Sequence, residues 1–229
     1  MLPVDQVDVV LDPGPHPFER DNAEAIAENW RREVAAKPAL FDGTLVLLSK
    51  LSYSEARLAG RCHAVRYSTF LHWQKNRMIA GAGHAFAHAM LVSSDNALVA
   101  IRMAAHTVNA GKVYFAAGSF EPEDFPGGRV DLHANMAREV REETGIDLAV
   151  ARRDARHFAL CGDNGTVIVR RYHLDASAEE LAAGIDAFVA AEATPEIEGP
   201  VIIRNATDLP QGLMPHMKRL VEWHFSAPG

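Results

Sequence analysis

Three glutamates, Glu139, Glu142 and Glu143, stand at i, i+3 and i+4 in the stretch Arg138-Glu-Val-Arg-Glu-Glu-Thr-Gly-Ile146. On a helix that spacing gathers the three carboxylates on one flank. Like charges so placed repel, and a divalent cation removes the penalty, because carboxylate oxygens are the ligands that Mg²⁺, Mn²⁺ or Ca²⁺ prefer. Leu132, Met136 and Val140 recur every four residues, which predicts the helix and its buried face. Gly145 supplies a left-handed residue to end it. A solvated acidic face has the same spacing, and Arg138 with Glu142 at i, i+4 is an ordinary ion pair.

The stretch resembles the second half of the Nudix box, Gly-x5-Glu-x7-Arg-Glu-U-x-Glu-Glu-x-Gly-U, where U is a bulky aliphatic residue, and every fixed position of that half is present. The resemblance implies a Nudix fold: an α+β, or α/β/α sandwich, architecture with a mixed sheet flanked by helices. It implies metal-dependent hydrolysis of a nucleoside diphosphate linked to another moiety, with Glu139, Glu142 and Glu143 holding Mg²⁺ or Mn²⁺. Arg138 would brace the helix by pairing with a box carboxylate rather than touch substrate. Ala117-Gly118 sits where the family usually has Gly-Gly, and Gly118 would let the loop backbone approach closely. Arg102, at the end of a strand feeding the site, is either a diphosphate contact or a solvated charge.

One departure concerns the first half of the box. Six residues after Gly118 stands Asp124 in place of the family's Glu, and Arg138 lies fourteen residues further on, so the loop carries about six extra residues. Glu121, Glu123 and Asp124 all compete to replace that Glu. Asp131 suits the N-cap of the box helix. Glu196 and Glu198, in a later acidic loop, are candidates to complete the metal site or act as base; a plain surface loop is the competing reading.

Composition narrows the function classes. A net charge of −7 argues against broad capture of nucleic acid. Cys62 and Cys161 are too few for a disulfide scaffold or a zinc ribbon. The start, Met1-Leu-Pro-Val-Asp5, has no signal-peptide pattern and no apolar run reaches membrane-spanning length, so no membrane association and a cytoplasmic location are expected. His84 and His88 have the i, i+4 spacing of helical zinc ligands but sit in a strand-like stretch without the Glu of a metalloprotease helix.

Taken in order, Pro3, Pro13, Pro15 and Pro17 exclude regular helix from residues 1–20 and leave an arm or an edge strand at Val7–Leu11. Asp21 with Glu24 predicts a capping box for a helix over 22–36. Strands follow at Thr44–Ser54 and Arg57–Ser68, then a turn or short helix around Phe70–Lys75. Gly81-Ala-Gly83 is the best boundary, dividing the chain into an α+β extension (1–80) and a Nudix domain (81–229). The extension is expected to shape the substrate pocket or mediate a homodimer. Beyond it, strands are predicted at Met90–Val92, Ala97–Met103 and Val113–Phe115. A hairpin around Gly162-Asp-Asn-Gly165, a helix opened by Ser177 and Glu180, a strand at Val201–Ile203 and a closing helix complete the chain.

Three functions compete. The first is a hydrolase of nucleotide sugars, dinucleotides or coenzyme A type substrates. The second is a Nudix-fold nucleotide-binding module without hydrolytic activity. A diphosphate isomerase is third, and it lacks an evident Cys/Glu pair for proton transfer.

Overall fold

Ala85-Phe-Ala-His-Ala-Met-Leu-Val92 is apolar or small at almost every position, the pattern of a strand covered on both faces. It lies at the centre of the structure, a computed structural model that describes residues 1–77, 79–162 and 165–226. The chain runs β1 (Leu2–Val4), β2 (Gln6–Asp12), α1 (Pro17–Asp21), α2 (Ala23–Ala36), β3 (Thr44–Ser54), β4 (Arg57–Arg66) and α3 (Tyr67–Lys75). It continues through β5 (Ala85–Val92), β6 (Leu98–Met103), β7 (Val113–Tyr114), α4 (Leu132–Thr144), β8 (Arg152–Arg153), β9 (His157–Gly162) and β10 (Gly165–His173). The last elements are α5 (Ala178–Ala191), β11 (Ile197–Ile203) and α6 (Pro215–Ser226).

Eight strands form the main sheet in the order β1-β9-β10-β5-β6-β11, with β7 on β6 and β8 on β10. Strands β5 and β10 are parallel and the other pairs antiparallel, so the sheet is mixed. Helices flank it: α4 contributes Met136 and Val140 to its core, α5 Ile185, and α6 Met217, Leu220 and Val221. Each such side chain contributes about 1.5–3 kcal/mol of burial.

A second sheet, β2-β4-β3, is built from residues 6–66. Strand β3 shows why its apolar run is unbroken. Leu45 and Leu47 pack with Phe18, Ile26, Val65 and Trp73 beneath α1–α3, while Val46 and Leu48 pack into the main core. Alternate side chains thus serve two cores. Backbone bonds stitch the layers together: Leu48 N–H to Gly83 O and Gly83 N–H to Leu48 O, both 2.8 Å, and Val46 N–H to Phe120 O, 2.8 Å.

Several expectations are corrected. Pro17 does not exclude helix; it occupies the first turn of α1, where a missing N–H costs nothing, and His16 caps that turn through Nδ1. Pro3, by contrast, lies as expected outside any helix, in the edge strand β1. The Asp21–Glu24 capping box does not form: Asn22 is the N-cap of α2, and Asp21 pairs with Arg20. Strand β4 stops at Arg66 because Tyr67 opens α3, and β11 begins at Ile197, inside the stretch read as an acidic loop. The strands of the predicted hairpin pair as expected, but its turn residues Asp163 and Asn164 lie outside the described residues. The predicted cap of α4 is present, Asp131 accepting from His133 N–H (3.1 Å) and Ala134 N–H (3.0 Å). Asp131→Ala should therefore cost about 1 kcal/mol in urea denaturation.

Candidate active site

Helix α4 turns Leu132, Met136 and Val140 into the core, and this fixes where its glutamates point. Glu139 and Glu143, one turn apart, are buried at 8% and 7% exposure, whereas the Glu142 side chain is 60% exposed. Gly145 ends the helix at φ 73°, and a Cβ there would come within 2.6 Å of the Phe188 ring. Both the left-handed backbone and the α5 packing require glycine.

The loop after β7 closes over the two buried acids. Ala117 N–H donates to Glu143 Oε2 at 3.0 Å. A Cβ on Gly118 would lie 2.6 Å from the Glu139 carboxyl carbon. The obstructed atoms are the end of a flexible side chain, so Gly118→Ala should displace the carboxylate at little cost in stability. The expected result is a near-wild-type melting temperature with activity lowered at least about tenfold, as for a reacting group moved by an ångström.

Arg138 ties the helix to the loop that precedes it. Its Nη2 donates to Asp124 Oδ2 at 3.1 Å, and its Nη1 lies 2.7 Å from Glu139 Oε1 and 3.3 Å from Glu142 Oε2. Asp124 is buried and also accepts from Asn135 Nδ2 (2.9 Å) and Glu121 N–H (2.9 Å). Of the three acids that compete for the box Glu position, Asp124 is the one engaged with Arg138. Glu123 is exposed, and Glu121 caps the short 3₁₀ turn at Pro122–Asp124.

Beside this arrangement opens a cavity of about 1120 Å³. Glu139, Glu142, Glu143, Glu192 and Glu196 line it, with Arg141 the one lining cation among the described residues. Burial raises Glu143 to about 9, and the Glu139 charge adds to the shift against the opposing Ala117 N–H. Burial also raises Glu139 to about 7, with Arg138 pulling the other way and Glu142 adding to the rise. Crowded acids of this kind are poorly satisfied by protein partners alone.

The oxygen-only donor set suits Mg²⁺ or Mn²⁺. Its arrangement is not a ready-made cage: among the described residues no three Asp, Glu, His or Cys side chains converge as metal ligands. Glu139 faces Arg138 and Glu143 faces the loop N–H. Glu139, Glu142 and Glu143 offer the donor chemistry a divalent cation takes and line one cavity wall, without converging on a single point.

The structure brings together Arg138, Glu139, Glu142, Glu143 and Gly118. Glu196 joins them across the cavity, whereas Glu198 is exposed and does not line it. Arg102 lies elsewhere, its Nη1 donating to the carbonyls of Gly111 (3.2 Å) and Gln211 (3.0 Å). Neither half-buried His84 nor buried His88 makes a zinc pair: His84 Nε2 meets Ser119 Oγ at 3.1 Å and His88 Nε2 meets His216 Nε2 at 3.0 Å. Asn135 and Glu192 are members of the site that sequence reasoning missed. Asn135 lies three residues before Arg138 on one helix face, a spacing that offered the only signal.

No family model and no curated protein matches the chain. Among solved structures, it is similar to a MutT protein from Methanosarcina mazei Go1, at 18% identity over 62% of this chain and 91% of that one, TM-score 0.42. It is similar to the E. coli ORF135 protein, at 17% identity over 61% of this chain and 86% of that one, TM-score 0.37. A third likeness is to a bifunctional NMN adenylyltransferase/ADP ribose pyrophosphatase from Francisella tularensis complexed with AMP and a Mn ion, at 16% identity over 68% of this chain and 43% of that one, TM-score 0.37. The architecture itself, a mixed sheet flanked by helices with the motif on the helix after the Gly118 loop, is the one that the resemblance to Nudix proteins implies.

Proposed function

We propose that the chain is a divalent-cation-dependent hydrolase of the pyrophosphate bond in a nucleoside diphosphate linked to another moiety. The observation that carries this reading is the cavity whose wall collects the three box glutamates with Glu192 and Glu196. Glu139, Glu142 and Glu143 would hold Mg²⁺ or Mn²⁺. The cation, when bound, supplies Lewis-acid polarisation of phosphate oxygens and a more acidic water.

The chain's own residues do the positioning. Arg138 and Asp124 lock the loop onto the helix, and Gly118 admits the Glu139 carboxylate against the backbone. Glu142, the most exposed of the three, opens toward water and is placed to accept its proton at a carboxylate oxygen. Incubating the protein with nucleotide sugars, dinucleotides and coenzyme A, with Mg²⁺ or Mn²⁺, and separating the products by chromatography tests the reading. Cleavage at the pyrophosphate that Glu142→Gln abolishes is expected; no cleavage of any of them would sink it.

One observation favours a binding module instead. Glu139 and Glu143 are engaged by Arg138 and by Ala117 N–H rather than gathered for a cation. Saturable nucleotide binding without product in the same experiment would select that reading.

A further inference from the structure

Leu181, Ile185 and Phe188 follow one another at i, i+4 and i+7, the spacing of a core-facing stripe on α5. The first two are in the core, at 9% and 0% exposure. Phe188 is not. It is half-buried, and among the described residues it belongs to neither hydrophobic core. The stripe runs past the end of the core, and its last ring comes to rest beside the acid-lined cavity.

The ring is held there by backbone. A Cβ on Gly145 would lie 2.6 Å from its Cδ2, 2.8 Å from Cγ and 3.2 Å from Cε2, so one side of the ring leans directly on the glycine. Contact with main chain, rather than with a flexible side chain, fixes a ring before any ligand arrives, which lowers the ordering cost of binding. The rest of the ring lines the cavity, where it is the one aromatic side chain among the described residues.

Its position relative to the acids is set by the chain. Glu143 and Gly145 are two residues apart, a reach of at most about 7 Å. The cavity, of about 1120 Å³, exceeds the roughly 300–1,000 Å³ usual for a drug-sized ligand, so it holds more than a diphosphate at the carboxylates. One end of the space therefore offers charge and oxygen donors, and the neighbouring wall offers a fixed apolar plate.

We propose that Phe188 is the platform on which the nucleobase of a substrate stacks, and so the residue that makes this cavity prefer nucleotides to other phosphate esters. The proposal rests on the reading of the chain as acting on a nucleoside diphosphate. Stacking on an aromatic ring tolerates any base, because every base has a π-face. The ring thus selects for the presence of a base and not for its identity.

Calorimetric titration of the full chain in Mg²⁺ with AMP and with ribose 5-phosphate tests it, since the two ligands differ only by the base. AMP should bind about tenfold more tightly, the scale of one base–aromatic stack. Phe188→Leu, which keeps an apolar side chain against Gly145, should bring AMP down to the ribose 5-phosphate level and leave ribose 5-phosphate unchanged. Phe188→Tyr should retain the preference. Circular dichroism checks the fold, and Phe188→Met decides if the leucine variant does not fold. Absence of AMP binding overturns the proposal, as does AMP no tighter than ribose 5-phosphate, or a preference that survives Phe188→Leu. Equal weakening of both ligands would make the ring a packing residue only, and overturns it too. AMP has no pyrophosphate bond to cleave, so a missing preference leaves the hydrolase reading standing, and a protein that cleaves nothing but keeps the preference retains the platform.

Discussion

Glu143→Gln should lower turnover of any pyrophosphate substrate by about 10²–10⁴, while the metal-free protein becomes more stable than wild type. Both halves follow from one position. Glu143 is buried beside Glu139 and, among the described residues, held by a single loop N–H, so ionising it is costly without a cation. Glutamine keeps the shape and the acceptor for Ala117 and removes the charge. The sign follows from the two states of the chain. At low pH the carboxyl is protonated whether folded or unfolded and has no effect. As pH rises from the ordinary carboxylate range toward about 9, the unfolded chain ionises first, and folded stability falls. Thermal melts in chelator across that window should slope downward for wild type and less so for Glu143→Gln. An active variant would remove Glu143 from the chemistry, and a variant melting below wild type at neutral pH would contradict the electrostatic account.

Arg138→Ala should be the most destabilising single change at the site, by about 3–5 kcal/mol. The guanidinium is one cation shared by Asp124, Glu139 and Glu142. Its removal leaves Asp124 buried with Asn135 and one backbone N–H, and leaves Glu139 with its neighbouring acids. Arg138→Lys retains the charge but cannot present a planar fork to several carboxylates, so it should recover only part of the loss. Urea denaturation of both variants and of Asp124→Asn, with the double variant Arg138→Ala/Asp124→Asn, measures the coupling. Additive effects would mean that the pair does not interact.

Much of this arrangement was legible in the order of residues. The four-residue recurrence of Leu132, Met136 and Val140 located the helix, its buried side and hence the flank carrying the acids. Asp131 and Gly145 marked its ends. The identity of the acid that meets Arg138 was not legible, because Glu121, Glu123 and Asp124 share one charge and one loop. Burial separates them, and it depends on how Asn135 and the 3₁₀ turn pack. Arg102 was unreadable for a related reason: its partners are carbonyls of Gly111 and Gln211, and a backbone acceptor leaves no trace in residue type. Pro17 misled because proline forbids a helix interior but suits a helix start, and the choice is made by the His16 cap.

The pairing of β1 with β9 carries a kinetic consequence. Leu2 lies opposite Ala159, and β10, beyond β9, pairs with β5. During synthesis β1 therefore waits, with its edge uncovered, until the chain has been made as far as β9. Assembly governed by such distant partners is slow, and the nascent chain is most vulnerable to aggregation during that wait.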